Sequence, residues 1–222
     1  LLMNGVDVST RYAMRSREMY QRYATYIFRV VKAKMGNYLI FFPSYRFMED
    51  VYQEFTQLLA SDEEEMELVI QQKHMDEEER ENFLRAFEMG REKSLIGFGV
   101  LGGIFSEGID LTNEKLIGTL IIGTGLPQVC NEREILKSYF DQKGLYGFDY
   151  AYRYPGMNKV LQAAGRVIRT EDDRGVILLL DERFQREKGK EIFPKEWADC
   201  ERCRLDIVEE KIRLFWEKQT DN

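Results

Sequence analysis

Gln162, Arg166 and Arg169 are separated by four and three positions within the run Gln162-Ala163-Ala164-Gly165-Arg166-Val167-Ile168-Arg169. Apolar residues at 160, 161, 164, 167 and 168 recur at helical spacing, which predicts one helix packed by that face and presenting an amide and two guanidinium groups on the other. Guanidinium is permanently charged and planar and holds two phosphate oxygens at once, so a phosphate chain is the ligand this pattern suits. Gly165 removes a side chain beside Arg166, where another backbone or a ligand could come close, although a glycine inside a helix costs about 1 kcal/mol. Two arginines alone would read as a solvated surface helix; glutamine and glycine in register with them favour a site.

The elements that must position this helix alternate in type. Arg11 to Lys34 reads as an amphipathic basic helix, and Tyr38 to Phe42 as a continuous apolar run of the kind that forms a strand buried on both faces. Pro43-Ser44-Tyr45 follows at the carboxyl end of that strand, where open α/β sheets place ligands; Tyr45 offers either a stacking face or core packing. Residues 46–59 predict a crossover helix, 68–70 a short strand, 76–89 a helix opened by acidic residues, and 94–100 a strand. Residues 116–122 and 176–180 add two more strands, and a closing helix runs from about Leu205 to Trp216 with Ile207, Val208, Ile212, Leu214 and Phe215 as its apolar side. Strands alternating with helices, with polar motifs in the loops, give an α/β domain with a mostly parallel sheet and helices on both faces.

Three stretches carry a family resemblance. Gln162 to Arg169 resembles the QxxGRxxR motif of superfamily two helicases, Phe105-Ser106-Glu107-Gly108-Ile109-Asp110 resembles the SEGID motif of their XPD/DinG branch, and Asn37 to Tyr45 resembles the strand and loop that open the second motor domain. The resemblance implies a RecA-like fold of the P-loop NTPase type, spanning residues 1–222 and including the basic helix 11–34 and a helical tail 184–222. It implies ATP bound by Gly108, Asp110, Gln162, Arg166 and Arg169, with Arg166, Arg169 and Gln162 acting on the γ-phosphate. Asp110 read without the family would be a loop cap. The resemblance further implies single-stranded DNA held near Ser44, Tyr45, Ser106, Glu107 and Thr124, and repair or replication as the setting. An iron-sulfur cluster, where such helicases carry one, belongs to the other motor domain.

Other features bound this reading. No GxxxxGK[ST] loop occurs, and no DEAH-like acidic pair follows a suitable strand, so the grips on the β-phosphate and Mg²⁺ are expected from motor domain 1 of the same polypeptide. Isolated, this stretch is expected to be inactive. The alternative is a nucleic-acid-binding or regulatory domain that keeps a helicase-like shape without a motor; a Walker A loop elsewhere in the polypeptide would decide against it.

The net charge of −7 is local in origin, since residues 61–92 hold twelve Asp or Glu against four Lys or Arg. Residues 11–34 hold seven Lys or Arg against one Glu, which suits either a solvated face or a nucleic-acid contact. Cys200 and Cys203 suggest two thiols on one turn of a polar helix, and no metal is placed there. The aromatics at 139, 146, 148, 150, 152 and 154 are able to stack bases but are expected to fill a satellite core. No apolar run is long enough to cross a bilayer, and the reading is of one domain of a longer cytoplasmic protein.

Overall fold

The computed structural model describes residues 1–88, 92–105, 116–168, 173–185 and 191–220. Its strands are β1 (Leu2–Gly5), β2 (Asn37–Phe42), β3 (Met66–Ile70), β4 (Ser94–Val100), β5 (Gly118–Ile122), β6 (Val176–Leu180) and β7 (Glu201–Cys203). Its helices are α1 (Arg17–Ala33), α2 (Tyr45–Ala60), α3 (Glu77–Arg85), α4 (Asn131–Gln142), α5 (Tyr154–Ala164) and α6 (Val208–Thr220). The strand order is β3-β4-β2-β5-β6-β1-β7, and every described pair is parallel. Parallel neighbours need crossovers, which is why α2 and α3 lie between β2, β3 and β4 in the chain.

Alternation along the central strands divides the core in two. Tyr38, Ile40 and Phe42 of β2 face α1, α2 and α6, together with Leu120, Ile122, Leu178 and Leu180. Leu39 and Phe41 face the other way, with Ile121, Leu179 and the α5 residues Met157, Val160, Ala163 and Ala164. Both sides of β2 are therefore dry, as its unbroken apolar sequence requires. Local chemistry sets the helix starts: Ser16 accepts from the Met19 N–H, Ser44 accepts from the Phe47 N–H, and Asp76 with Glu79 forms a reciprocal capping box.

The structure extends the sequence reading at both ends. Leu2–Gly5 is a strand between β6 and β7, although four residues offer too short a pattern to be recognised without their partners. The segment expected as a helical tail contributes β7 as well as α6, so Cys200 and Cys203 do not share a helical turn. Cys203 packs in the α1 side of the core and Cys200 against the α5 side, and burial pushes the Cys203 thiol up to about 12. Val208 and Ile212 of α6 are buried with Phe215 packed beside them, whereas Ile207, which precedes the helix, and Leu214, which lies off the 208, 212 and 215 stripe, are exposed.

The aromatic region meets its expectation in part: Tyr152 is buried and Phe148 and Tyr150 are half-buried. No residue of α4 is buried, and Tyr139, Tyr146 and Tyr154 are exposed rather than enclosed in a satellite core. The rings stack on one another, Phe140 on Tyr150 at 4.1 Å and Phe148 on Tyr152 at 5.1 Å, across a π-helical turn at Asp149–Arg153.

Candidate functional site

Because the strands are parallel, the loops after β1 to β6 emerge at one edge of the sheet, and the candidate residues divide between that edge and the far end of α5. After β2, Ser44 is half-buried and its hydroxyl accepts from the Phe47 N–H at 3.3 Å. The Tyr45 ring packs against the core and its hydroxyl accepts from Gln71 Nε2 at 2.8 Å. After β5, a Cβ on Gly125, whose φ is +66°, would stand 2.5 Å from the Gly156 carbonyl oxygen. A Cβ on Gly156 would stand 2.7 Å from the Thr124 carbonyl oxygen, so the Thr124-Gly125 loop and the first turn of α5 touch backbone to backbone. The two glycines thereby fix where the motif helix starts.

From that anchor α5 runs back towards the opposite edge. Lys159 lies over Gly102 in the loop after β4, its Nζ 3.0 Å from where a Cβ would be. Leu161, Ala164 and Gly165 reach the beginning of β1 and β6, lining a depression of about 500 Å³ with Leu1, Ile177 and Trp197. The helix expected to continue through Ile168 ends at Ala164. The Arg166 and Val167 N–H groups bond the Ala163 and Ala164 carbonyls, three residues back, so a tighter turn carries Arg166. Gln162 is exposed on the last turn of α5 and Arg166 is half-buried. Among the described residues, only the Leu161 and Gln162 carbonyls come within 4 Å of a Cβ added at Gly165, so none of their side chains fills the room beside the turn. Arg169, Ser106, Glu107, Gly108 and Asp110 lie outside the described residues.

A pocket of about 560 Å³ opens at the carboxyl edge, and the sequence reading had not assembled it. Tyr45, Lys73, His74, Arg80 and the backbone of Gly102 and Ile104 line it. Lys73 follows β3 closely and Arg80 lies within α3, so both stand in the acidic run and read with it as one solvated face.

Next to this edge lies a closed charge cluster. Asp181, at the exit of β6, is fully buried and bonded to Arg183 Nε and Nη2 at 2.8 Å and to Thr10 Oγ1 at 2.7 Å. Burial opposes its ionisation, but the Arg183 hydrogen bonds and charge, with Thr10, outweigh it and hold the carboxyl below its ordinary range. Arg183 is thus a structural charge.

The cations of the basic segment 11–34 are also engaged by their own chain. Arg11 pairs with Glu182, Arg17 with Glu54, Arg22 with Asp7, and Lys32 with Asp62 and Glu64. Arg29 bonds the Leu205 carbonyl at 2.7 Å, Arg15 bonds the Thr10 carbonyl and lies 5.5 Å over Phe47, and Lys34 lies 5.7 Å over Trp216. All seven cations have partners within the chain. Arg15, Arg17 and Lys34 remain exposed, so the segment is a solvated face whose cations are also engaged by their own chain.

Comparison with known proteins bears on the family and the fold. Residues 27–200 match the family model described as helicase C-terminal domain. An ATP-dependent DNA helicase XPD of Sulfolobus acidocaldarius is 30% identical over 187 residues, covering 82% of this chain and 31% of the relative. The general transcription and DNA repair factor IIH helicase subunit XPD/RAD3 of Saccharomyces cerevisiae is 28% identical, covering 83% of this chain and 24% of the relative. The chain thus spans less than a third of the length of these relatives. An apo XPD structure superposes with a TM-score of 0.73 at 24% identity, covering 91% of this chain and 39% of that one. The C-terminal domain of the DEAD-box protein Dbp5 superposes at 0.52 and 17% identity, covering 96% of each. The fold is RecA-like.

Proposed function

The chain belongs to the helicase C-terminal domain family, and from that premise we propose that it is the second motor domain of an ATP-dependent DNA helicase. ATP sits between this domain and motor domain 1 of the same polypeptide. Arg166 and Arg169 meet the charge that develops on the γ-phosphate, Gln162 senses the nucleotide, and Gly108 and Asp110 approach the nucleoside, the carboxylate near the ribose. Mg²⁺ is held by the first motor domain, because this sequence carries neither a phosphate-cradling GxxxxGK[ST] loop nor a DEAH-like acidic pair. The room beside Gly165 and the exposure of Gln162 suit a site completed by a docked neighbour.

Single-stranded DNA follows the carboxyl edge, gripped near Ser44, Tyr45, Ser106, Glu107 and Thr124. Closure on ATP and opening after hydrolysis then shift this edge along the strand. The observation that carries the reading is the family match over residues 27–200, which takes in all three motifs in their helicase order.

Titrating the isolated chain with a labelled single strand and a labelled nucleotide tests it. Weak DNA binding that falls steeply with salt, with little nucleotide affinity, is the expected result. Tight ATP binding by the isolated chain would contradict a site that needs a second wall.

A further inference from the structure

Gln71 belongs to none of the three motifs, yet it is 2% exposed at the carboxyl edge. It continues β3 by donating its backbone N–H to the Phe98 carbonyl at 2.8 Å. Its side chain is bonded at both ends: Oε1 accepts from the Val100 N–H at 2.9 Å, and Nε2 donates to the Tyr45 hydroxyl at 2.8 Å. One amide therefore ties together the exits of β2, β3 and β4. The fit is close, since a Cβ on Gly103 would come within 3.0 Å of Nε2 and one on Gly99 within 3.3 Å of Oε1.

Each tied point leads to a different part of the proposed machinery. Tyr45 follows Ser44 in the loop at the DNA edge, and Val100 ends the strand whose chain continues through Phe105 into Ser106–Asp110. A buried amide bonded to both resists moving one without the other, because separating them would leave buried polar atoms without partners.

We propose that Gln71 is a positioning residue that couples the DNA-gripping loop at Ser44-Tyr45 to the segment entering Ser106–Asp110, so that strand occupancy changes the rate of ATP hydrolysis. This rests on the motor-domain reading above. The coupling is carried by the two side-chain hydrogen bonds, and Gln71 itself touches neither ATP nor DNA. Glutamate in its place keeps both bonds: a carboxylate accepts from the Val100 N–H, and the Tyr45 hydroxyl reverses to donate. Methionine, similar in length, keeps neither. Asparagine keeps the amide but is one methylene short of spanning both partners.

The test is the stimulation of ATP hydrolysis by single-stranded DNA in the full-length protein, with melting temperature recorded for each variant. Gln71→Met and Gln71→Asn are expected to lower the fold stimulation about tenfold, with the DNA-free rate and the DNA Kd held within about twofold of wild type, inside the tenfold that 1.4 kcal/mol represents. Gln71→Glu is expected to restore most of the stimulation. If Gln71→Met does not fold, Gln71→Asn carries the comparison. Full stimulation in the folded Met or Asn variant, or a loss in Gln71→Glu equal to theirs, would overturn the coupling role alone. A wild-type protein whose hydrolysis ignores DNA would overturn the motor reading and the coupling role together.

Discussion

Two groups of arginines look alike in the sequence: those of α1 and the β6 exit, and those of the run from Gln162 to Arg169. Those of α1 and the β6 exit are engaged by their own chain: Arg22 with Asp7, Arg17 with Glu54, Arg29 with a backbone carbonyl and Arg183 with buried Asp181. Arg166 sits in a tight turn at the end of α5, beside a depression, with Arg169 three residues on. The first group has partners brought to it from far along the chain in some cases, such as the Leu205 carbonyl, 176 residues from Arg29. No charge count along the sequence reveals such pairings. The second group is marked by a motif, and its proposed partner is the phosphate of a nucleotide. Arginine density marks charges that pair within the chain, while arginine spacing within a glycine-containing motif marks the surface assigned here to ATP.

Removing a carboxylate from the first group should cost the fold most. Asp181→Asn leaves Arg183 half-buried opposite a neutral amide, and a loss of about 3 kcal/mol is expected in denaturant melts at pH 7. Because the Asp181 carboxyl is held below its ordinary range when folded, its contribution is present above the unfolded value of about 3.9 and disappears as pH falls through the folded one. The gap between wild type and variant should therefore narrow in acid. A gap that stayed constant from pH 7 to pH 3 would mean that the pair does not act through charge.

A smaller effect is expected on α1. The Arg22 side chain is 39% exposed, so Arg22→Gln should cost under about 1 kcal/mol. The sharper readout is DNA: the seven cations of residues 11–34 are engaged within the chain, so the single-strand Kd of Arg22→Gln should match wild type. A severalfold weaker Kd with a flatter salt dependence would return α1 to the nucleic-acid surface.

The central fold was legible because its determinants are local. β4 and β6 fall where their apolar runs predicted, and β2 and β5 lie within a residue or two, since strands dry on both faces need continuous apolar sequence. β1 and β7 were not legible, because strands of four and three residues at the sheet margin draw their stability from neighbours distant in sequence. The α5 stripe was read correctly up to Ala164, but apolar spacing continues past the point where Gly165 and the tight turn end the helix. Gln71 escaped notice for a different reason: a single amide after a strand has no pattern, and its role depends on Tyr45 and Val100 meeting it in space.

The most direct measurement is ATP turnover by the full-length protein carrying Arg169→Ala, compared with wild type in the presence of saturating single-stranded DNA. A guanidinium that meets the charge of the transition state is worth on the order of 10³-fold or more in rate. A loss of that size with the DNA Kd unchanged is the predicted result, and wild-type turnover in this variant would contradict the account.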